Sequence, residues 1–533
     1  MTQRPNILLV VADCARSDKW LGPGRTFKTP NVDRLAARGV SFPNTITEKA
    51  CTTPCFASLL SGLYSPRHGV HLVWGYRLRA SVPLLTDALR AQGYRTYAEV
   101  TGPLLEEMGL ARGFDEYRYR APCDYLDTRW GEEFRARLRG EGFSGPWFIL
   151  LHLWELHWKR RVPREFDRPE FGRDAYERAT SALDAQIGAL LDCVDDDTIV
   201  AFTGDHGEKT ASETYPPGGA VDYARRLLGV SGESGLRTDH VAYWAGPSVL
   251  QQLYGVGAPN LRDVRLRERP PAVHGGVWAA FRDRMSIYFF TPFLFVHDLL
   301  AINSPLRQTR MLRRRGLLDE RVAGAKVGWF RRLFGARRAA DLQLRMWMNT
   351  YRQHIDEGHM VHVYDFLVRV PLVIAGPGLP RGMTVDRMVR QVDILPTLVD
   401  LAGVVANKSS AAPPDGRSLT PLIRGAAWDG QPAFLSVSGI PADLELRGVR
   451  TETHKFTCGP HNPELPVELY DLRGDPHERR NIAADHGELC AELRATAESL
   501  ARDGVAETPL PESYDAQQQA TIERRLQELG YLG

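Results

Sequence analysis

Asn6-Ile7-Leu8-Leu9-Val10-Val11-Ala12-Asp13 and Thr198-Ile199-Val200-Ala201-Phe202-Thr203-Gly204-Asp205-His206-Gly207 are the two stretches whose reading decides the fold. Each is a run of β-branched and aliphatic side chains that finishes on a carboxylate. Such runs read as strands buried on both faces of a parallel sheet. In open α/β sheets, ligands bind beyond the carboxyl ends of the strands. Asp13, Asp205 and His206 can therefore converge on one cation. A third segment, Thr52-Thr53-Pro54-Cys55-Phe56-Ala57-Ser58-Leu59-Leu60-Ser61-Gly62, places the Thr52 hydroxyl at the mouth of a helix, where it can serve as a nucleophile beside that cation.

Outward from these stretches, apolar runs alternate with helical patterns at 31–38, 83–92 and 176–193, as expected of βα units feeding a mostly parallel sheet. The alternation resumes near residue 363, with a strand over 367–375 and a helix over 392–402 ending at Gly403. The expected organisation is an α/β catalytic domain made of 4–210 and 355–430, a large helical insertion over 211–354, and a small C-terminal α+β subdomain over 431–533 with a closing helix. Within the insertion, 286–302 is apolar and aromatic, but Pro292, His297 and Asp298 make it a poor membrane span. Residues 307–338 carry eleven Arg or Lys against two acids. That sequence suits a helical lid, peripheral contact with an anionic membrane surface or an acidic partner, or a packed subdomain with a solvated basic face.

The formal net charge of +2 gives no electrostatic footprint for nucleic acid. Seven cysteines, an odd number without metal-type pairing, argue against a disulfide framework and for a reducing compartment. Met1-Thr2-Gln3-Arg4-Pro5 leads directly into the first strand, so the expectation is a cytoplasmic protein without a signal peptide, membrane-associated if the basic insertion binds lipid. No feature of the sequence sets an oligomeric state.

The three segments, together with Lys28-Thr29-Pro30-Asn31-Val32-Asp33-Arg34-Leu35, His68-Gly69-Val70, Gly93-Tyr94-Arg95-Thr96, Gly113-Phe114-Asp115, Val392-Asp393-Ile394-Leu395-Pro396-Thr397, Asp415-Gly416-Arg417-Ser418 and Glu468-Leu469-Tyr470-Asp471-Leu472, occur in an order that resembles the sulfatases of the alkaline phosphatase superfamily. The resemblance covers residue 4 to about 210 and 355 to the C-terminus. It implies an alkaline-phosphatase-like, mostly parallel sheet sandwiched by helices. It also implies Asp13, Asp205 and His206 as metal ligands, with Thr52 as both a ligand and the residue that attacks the ester.

The chain also departs from the family pattern. Aligning Pro54 and Leu59-Leu60-Ser61-Gly62 puts Thr52 where sulfatases carry the Cys or Ser converted to formylglycine, and Phe56 where they carry an Arg. Threonine cannot become formylglycine, so none is expected. The second residue of the usual double Asp is Cys14. One imidazole, His206, tilts the single expected divalent cation from Ca²⁺ toward Mn²⁺ or Zn²⁺. The Lys-x-His pair that grips sulfate falls on Thr101 and Pro103, leaving Thr101 and Arg16 as candidate substrate contacts, with a surface ion pair to Asp18 as the equal alternative for Arg16. His157 and His359 are candidate acids for the leaving group. The implied activity is metal-dependent hydrolysis of a sulfuric ester, a phosphodiester or a phosphonate through a covalent Thr52 intermediate, on a small-molecule or lipid substrate. Transfer of a phosphoryl group to a lipid or amphiphilic acceptor is the alternative enzyme, and a non-catalytic binding relative the alternative class.

Overall fold

A computed structural model describes residues 4–228, 359 and 362–502, apart from short gaps at 24, 74–75, 141, 144, 158–159, 211–212, 405–412 and 439–443, together with a few residues between 518 and 525. Most of the insertion expected over 211–354, including both the apolar and the basic stretch, lies outside the described residues, as does Leu529-Gly530. The described residues fall almost entirely within one compact unit formed by 1–220, 357–439 and 444–513.

The larger sheet has nine strands: β1 (Ile7–Ala12), β2 (Gly39–Ile46), β3 (Arg95–Val100), β4 (Glu116–Tyr119), β5 (Trp147–Leu153), β6 (Ile199–Gly204), β7 (Arg369–Ala375), β8 (Met383–Thr384) and β9 (Val389–Arg390). Their order is β4-β3-β5-β1-β6-β7-β2-β8, with β9 also on β2. Only β7 runs against its neighbours β6 and β2; the remaining pairings are parallel. Strands β1, β5 and β6 are buried along their whole length, as unbroken apolar runs must be when helices cover both sheet faces.

Alternation along β1 and β5 assigns the two faces. Leu8, Val10, Ile149 and Leu151 join the core under the helices Pro30–Ala37 and Ala175–Leu191. These helices are pinned together by Asp184, whose carboxylate accepts the amides of Asn31 and Val32. The opposite parity carries His152 toward the helix Thr52–Ser61, where its ring meets Phe56 at 4.8 Å.

The smaller sheet is antiparallel, β10 (Ala433–Val437), β11 (Leu446–Arg450), β12 (His454–Cys458) and β13 (Glu468–Asp471) in sequence order. The helix Gly487–Arg502 covers it, burying Leu493 and Ala497 against Val449, Phe456 and Leu469. The helices expected at 31–38, 83–92, 176–193 and 392–402 are found to within a few residues, and the strand expected over 367–375 differs locally. The sequence predicts a strand from 367, whereas Asp365–Val368 forms one helical turn before β7 begins at Arg369.

Candidate active site

The ends of the parallel strands gather the chemistry. Ala12 pairs with Leu153 on one side and Gly204 on the other, so Asp13 and Asp205 leave adjacent strands at the same level. Thr101 follows β3, and His152 is the penultimate residue of β5. All four residues are buried. Gly207, immediately beyond, is held by its amide to the Leu367 carbonyl at 2.7 Å. A Cβ at this position would collide with the Phe366 carbonyl oxygen. The sharp exit that presents Asp205 and His206 therefore requires glycine there.

Thr52 is the first residue of its helix, and the N-cap is Cys51, which makes no side-chain cap. The Thr52 hydroxyl does not turn back to backbone amides as a capping hydroxyl would. Its Oγ1 donates to Asp13 Oδ2 at 3.2 Å and lies 3.3 Å from His206 Nε2. His206 Nδ1 sits 2.9 Å from the Gly207 carbonyl oxygen, which accepts its proton and leaves the Nε2 lone pair facing Thr52 and Asp205. Asp205 Oδ1 accepts the amides of His206 at 2.7 Å and Cys14 at 3.1 Å. Asp205 Oδ2 is buried without a hydrogen-bond partner, 3.4 Å from His206 Nε2.

These features fit a divalent cation. Donors sharing an ion at bond lengths of about 2.0–2.3 Å lie about 3–3.7 Å apart, and the separations of 3.2, 3.3 and 3.4 Å fall in that range. The ligand atoms of Asp13, Asp205 and His206 all lie within 4.8 Å of one another. Electrostatics agree. Burial, then the charge of Asp13, pushes the Asp205 carboxyl up to about 8. Burial also raises Asp13, but the hydrogen bond from His152 and the surrounding imidazoles outweigh it and hold that carboxyl well below its ordinary value. Two carboxylates confined together resist ionising at once unless a cation joins them.

The other expected residues divide into those near the cluster and those occupied elsewhere. His359 brings its ring to 4.3 Å from His206 and its Nδ1 to 3.3 Å from Glu208 Oε2. Burial lowers the His359 pKa, but the charge and hydrogen bond of Glu208, with the charge of Asp13, together outweigh it, so the net shift is upward. His157 stacks on Trp154 at 3.8 Å and lies 5.6 Å from His359; burial takes its pKa down to about 4. Thr101 is buried with its hydroxyl unpartnered, and its carbonyl lies 3.2 Å from His152 Nδ1. Arg16 forms the ion pair with Asp18 that is the alternative to a substrate contact. Its buried guanidinium binds Asp18 at 2.8 Å, Glu213 at 2.8 Å and the Glu208 carbonyl at 3.1 Å, which braces the 205–208 turn.

Three further residues shape the site without having been singled out from sequence. His152 Nε2 lies 3.3 Å from Asp13 Oδ2. Its signal was a lone polar residue at one parity of an otherwise apolar strand. Glu208 directly follows the Asp-His-Gly stretch. Gln391 donates to the carbonyls of Gly204 and Asp205 at 2.9 Å and accepts from Thr47, fixing the end of β6, and it carries no sequence signal beyond its polarity.

Strand order, a donor set of cation type beyond the parallel strand ends and a second, antiparallel sheet define an alkaline-phosphatase-like α/β protein. A phosphonate monoester hydrolase of Agrobacterium radiobacter shares this fold, with a TM-score of 0.56 at 18% identity, covering 94% of this chain and 96% of that one. The chain belongs to the sulfatase family: the Sulfatase model matches residues 5–248, and the model for the C-terminal part of N-sulphoglucosamine sulphohydrolase matches 359–503. Delta 4,5-hexuronate-2-O-sulfatase from Bacteroides thetaiotaomicron is 34% identical over 152 residues, 25% of this chain and 29% of that protein. Choline-sulfatase from Rhizobium meliloti is 23% identical over 492 residues, 90% of this chain and 83% of that one. Several curated relatives are matched over only about a quarter of their length, arylsulfatase K from Mus musculus over 26%.

Proposed function

We propose that the protein is a cation-dependent hydrolase of sulfuric or phosphoric esters in which Thr52 is the nucleophile. The observation that carries this reading is the Thr52 hydroxyl, which points at Asp13 and His206 and away from its own helix amides. Sulfate esters are the substrates named for the sulfatase relatives, and the phosphonate monoester hydrolase shares the fold, so both ester classes are in scope.

Asp13, Asp205 and His206 would hold the cation, with Thr52 beside it. Such an ion lowers the pKa of a neighbouring hydroxyl and screens charge on the transferred group. The Thr52 proton passes toward Asp13 Oδ2 as Oγ1 forms a bond to sulfur or phosphorus and the ester's alcohol oxygen departs. His359, backed by Glu208, is the donor that protonates the departing oxygen. His157 lines the same side. Water then attacks the Thr52 ester, which releases sulfate or phosphate from a monoester, a phosphate monoester from a diester or a phosphonic acid from a phosphonate, and restores the hydroxyl. Thr101 offers one hydrogen bond to the transferred group.

The deciding experiment is hydrolysis of an aryl sulfate, a phosphate monoester, a phosphate diester and a phosphonate monoester by cation-loaded wild type and by Thr52→Ala. The variant should lose at least about 10³-fold in kcat, the scale for removing a nucleophile, and wild type trapped during turnover should carry a mass adduct on the peptide containing Thr52. Full activity in Thr52→Ala would remove the nucleophile assignment. An adduct that forms but is released only to an added alcohol would make the protein a transferase.

A further inference from the structure

We infer that Cys14 is a ligand of the cation held by Asp13, Asp205 and His206, and that its sulfur makes the site one for zinc-class ions rather than calcium. The inference rests on the cation site proposed above. Cys14 is fully buried at the end of β1 and adopts φ +59°, the left-handed region that a side chain bearing a Cβ seldom occupies. Two contacts hold it there. Its amide donates to Asp205 Oδ1 at 3.1 Å, and its carbonyl accepts from the Tyr176 hydroxyl at 2.6 Å. Unusual backbone of this kind persists where surrounding contacts over-determine it, and it is found at ligand clamps.

The conformation directs the thiol into the cluster. Sγ lies 2.9 Å from Asp13 Oδ1 and 3.9 Å from His359 Nδ1, and the ligand atoms of Cys14, His206 and His359 lie within 4.8 Å of one another. An independent feature also points to an ion at this place: the buried Asp205 Oδ2, without a hydrogen-bond partner and 3.4 Å from His206 Nε2. His206 has one free lone pair, because Nδ1 is turned to the Gly207 carbonyl. The two donor groups overlap at His206, so they describe one ion, with the Cys14 sulfur joining the oxygen and nitrogen donors of Asp13, Asp205 and His206 while His359 stays with Glu208. Calcium takes oxygen ligands, whereas zinc and cobalt accept thiolate, imidazole and carboxylate together.

The test uses the full chain with its cation replaced by Co²⁺, and it reads absorption and affinity instead of turnover. Cobalt-loaded wild type should show a thiolate-to-metal charge-transfer band in the near ultraviolet. The band should disappear in Cys14→Ser and persist in Cys51→Ser, which removes another buried thiol. Zn²⁺ affinity should fall at least about 10-fold in Cys14→Ser, on the scale seen when the surroundings of a metal ligand are altered, and Cys14→Asp should bind Ca²⁺ more tightly than wild type. If Cys14→Ser does not fold, Cys14→Ala replaces it, and a cobalt-loaded wild type without the band overturns the inference in either case. Cobalt bound by wild type without a thiolate band, or a band that survives Cys14→Ser, overturns the inference and leaves the oxygen and nitrogen site standing. Failure of wild type to bind Zn²⁺, Co²⁺ or Ca²⁺ overturns the cation site as well.

Discussion

Two buried charge clusters in this molecule have opposite logic. Beyond the parallel strands, Asp13 and Asp205 share a buried volume with Thr52, Cys14 and two imidazoles, and neither carboxylate has a Lys or Arg against it among the described residues. Beside the antiparallel sheet, Asp365 and Glu478 face Lys455 and Arg450, with Lys455 Nζ 2.5 Å from Asp365 and 2.6 Å from Glu478, and Arg450 3.3 Å from Asp365. The second cluster is two acids against two bases and is complete. The first is two acids with no facing base among the described residues, the balance that the proposed cation would restore. Burial and polarity are common to both, so neither distinguishes a site from a structural network; charge balance does.

The sharpest way to break this comparison is to remove one carboxylate from each cluster. Asp205→Asn should abolish cation binding and reduce turnover by about 10³-fold or more, in line with losing a group that acts with its partners as a unit. In chelator-treated protein, however, the same variant should be at least as stable as wild type, because it relieves the confined pair of carboxylates. Calorimetric titration and thermal melts in chelator would report the two effects separately. A chelated variant that melts well below wild type would mean that Asp205 is a structural acid and that the contrast fails.

Lys455→Met should act in the opposite sense. Removing the base leaves two carboxylates buried without it, a change that costs about 3–5 kcal/mol, and denaturant unfolding should show that loss equally with and without added cation. Cation affinity should be unchanged. Acid sharpens the same point. Burial raises the Asp365 carboxyl, but Lys455 and Arg450 outweigh burial and hold it well below its ordinary value. The stability it contributes is therefore present above the unfolded value of about 3.9 and lost as pH falls through the lower folded value. The stability deficit of Asp365→Asn relative to wild type should accordingly be full near neutrality and vanish in strong acid, as urea unfolding across pH would show.

The sequence exposed the first cluster more readily than the second, for a physical reason. Asp13 and the Asp205-His206 pair each end an apolar run, where a polar residue has no packing role, and Thr52 opens a helix that lies between them in the family order. Lys455, Asp365 and Glu478 sit in ordinary strand and turn contexts, and only the folded pairing of β12 with its surroundings reveals that they meet. The same limit explains the residues missed within the site. His152 was hidden inside β5 because strand parity, not composition, turns it toward Asp13 and Phe56. Gln391 arrives from a segment far along the chain to hold Gly204 and Asp205. Arg16 was legible as a nearby cation, but its true partners, Asp18 and Glu213, include one from beyond β6.

Glu208 tests where the unbalanced cluster stops. Its carboxylate lies 3.3 Å from His359 Nδ1 and 4.0 Å from Arg160, so it is charge-paired in the manner of the Lys455 network while adjoining the cation donors. If it belongs to the leaving-group side, Glu208→Gln should cost about 10-fold in kcat, equivalent to about 1.4 kcal/mol of transition-state stabilisation. The substitution is nearly isosteric and keeps a hydrogen-bonding group beside His359, so the protein should still fold and bind its cation with unchanged affinity. The loss should be greatest for esters with poor leaving groups, which depend most on the proton that His359 supplies, and small for an activated aryl ester. Parallel kinetics on the two ester types, with a cation titration, would check this. An equal loss on both, accompanied by weaker cation binding, would place Glu208 within the cation site and extend the unbalanced cluster by one more acid.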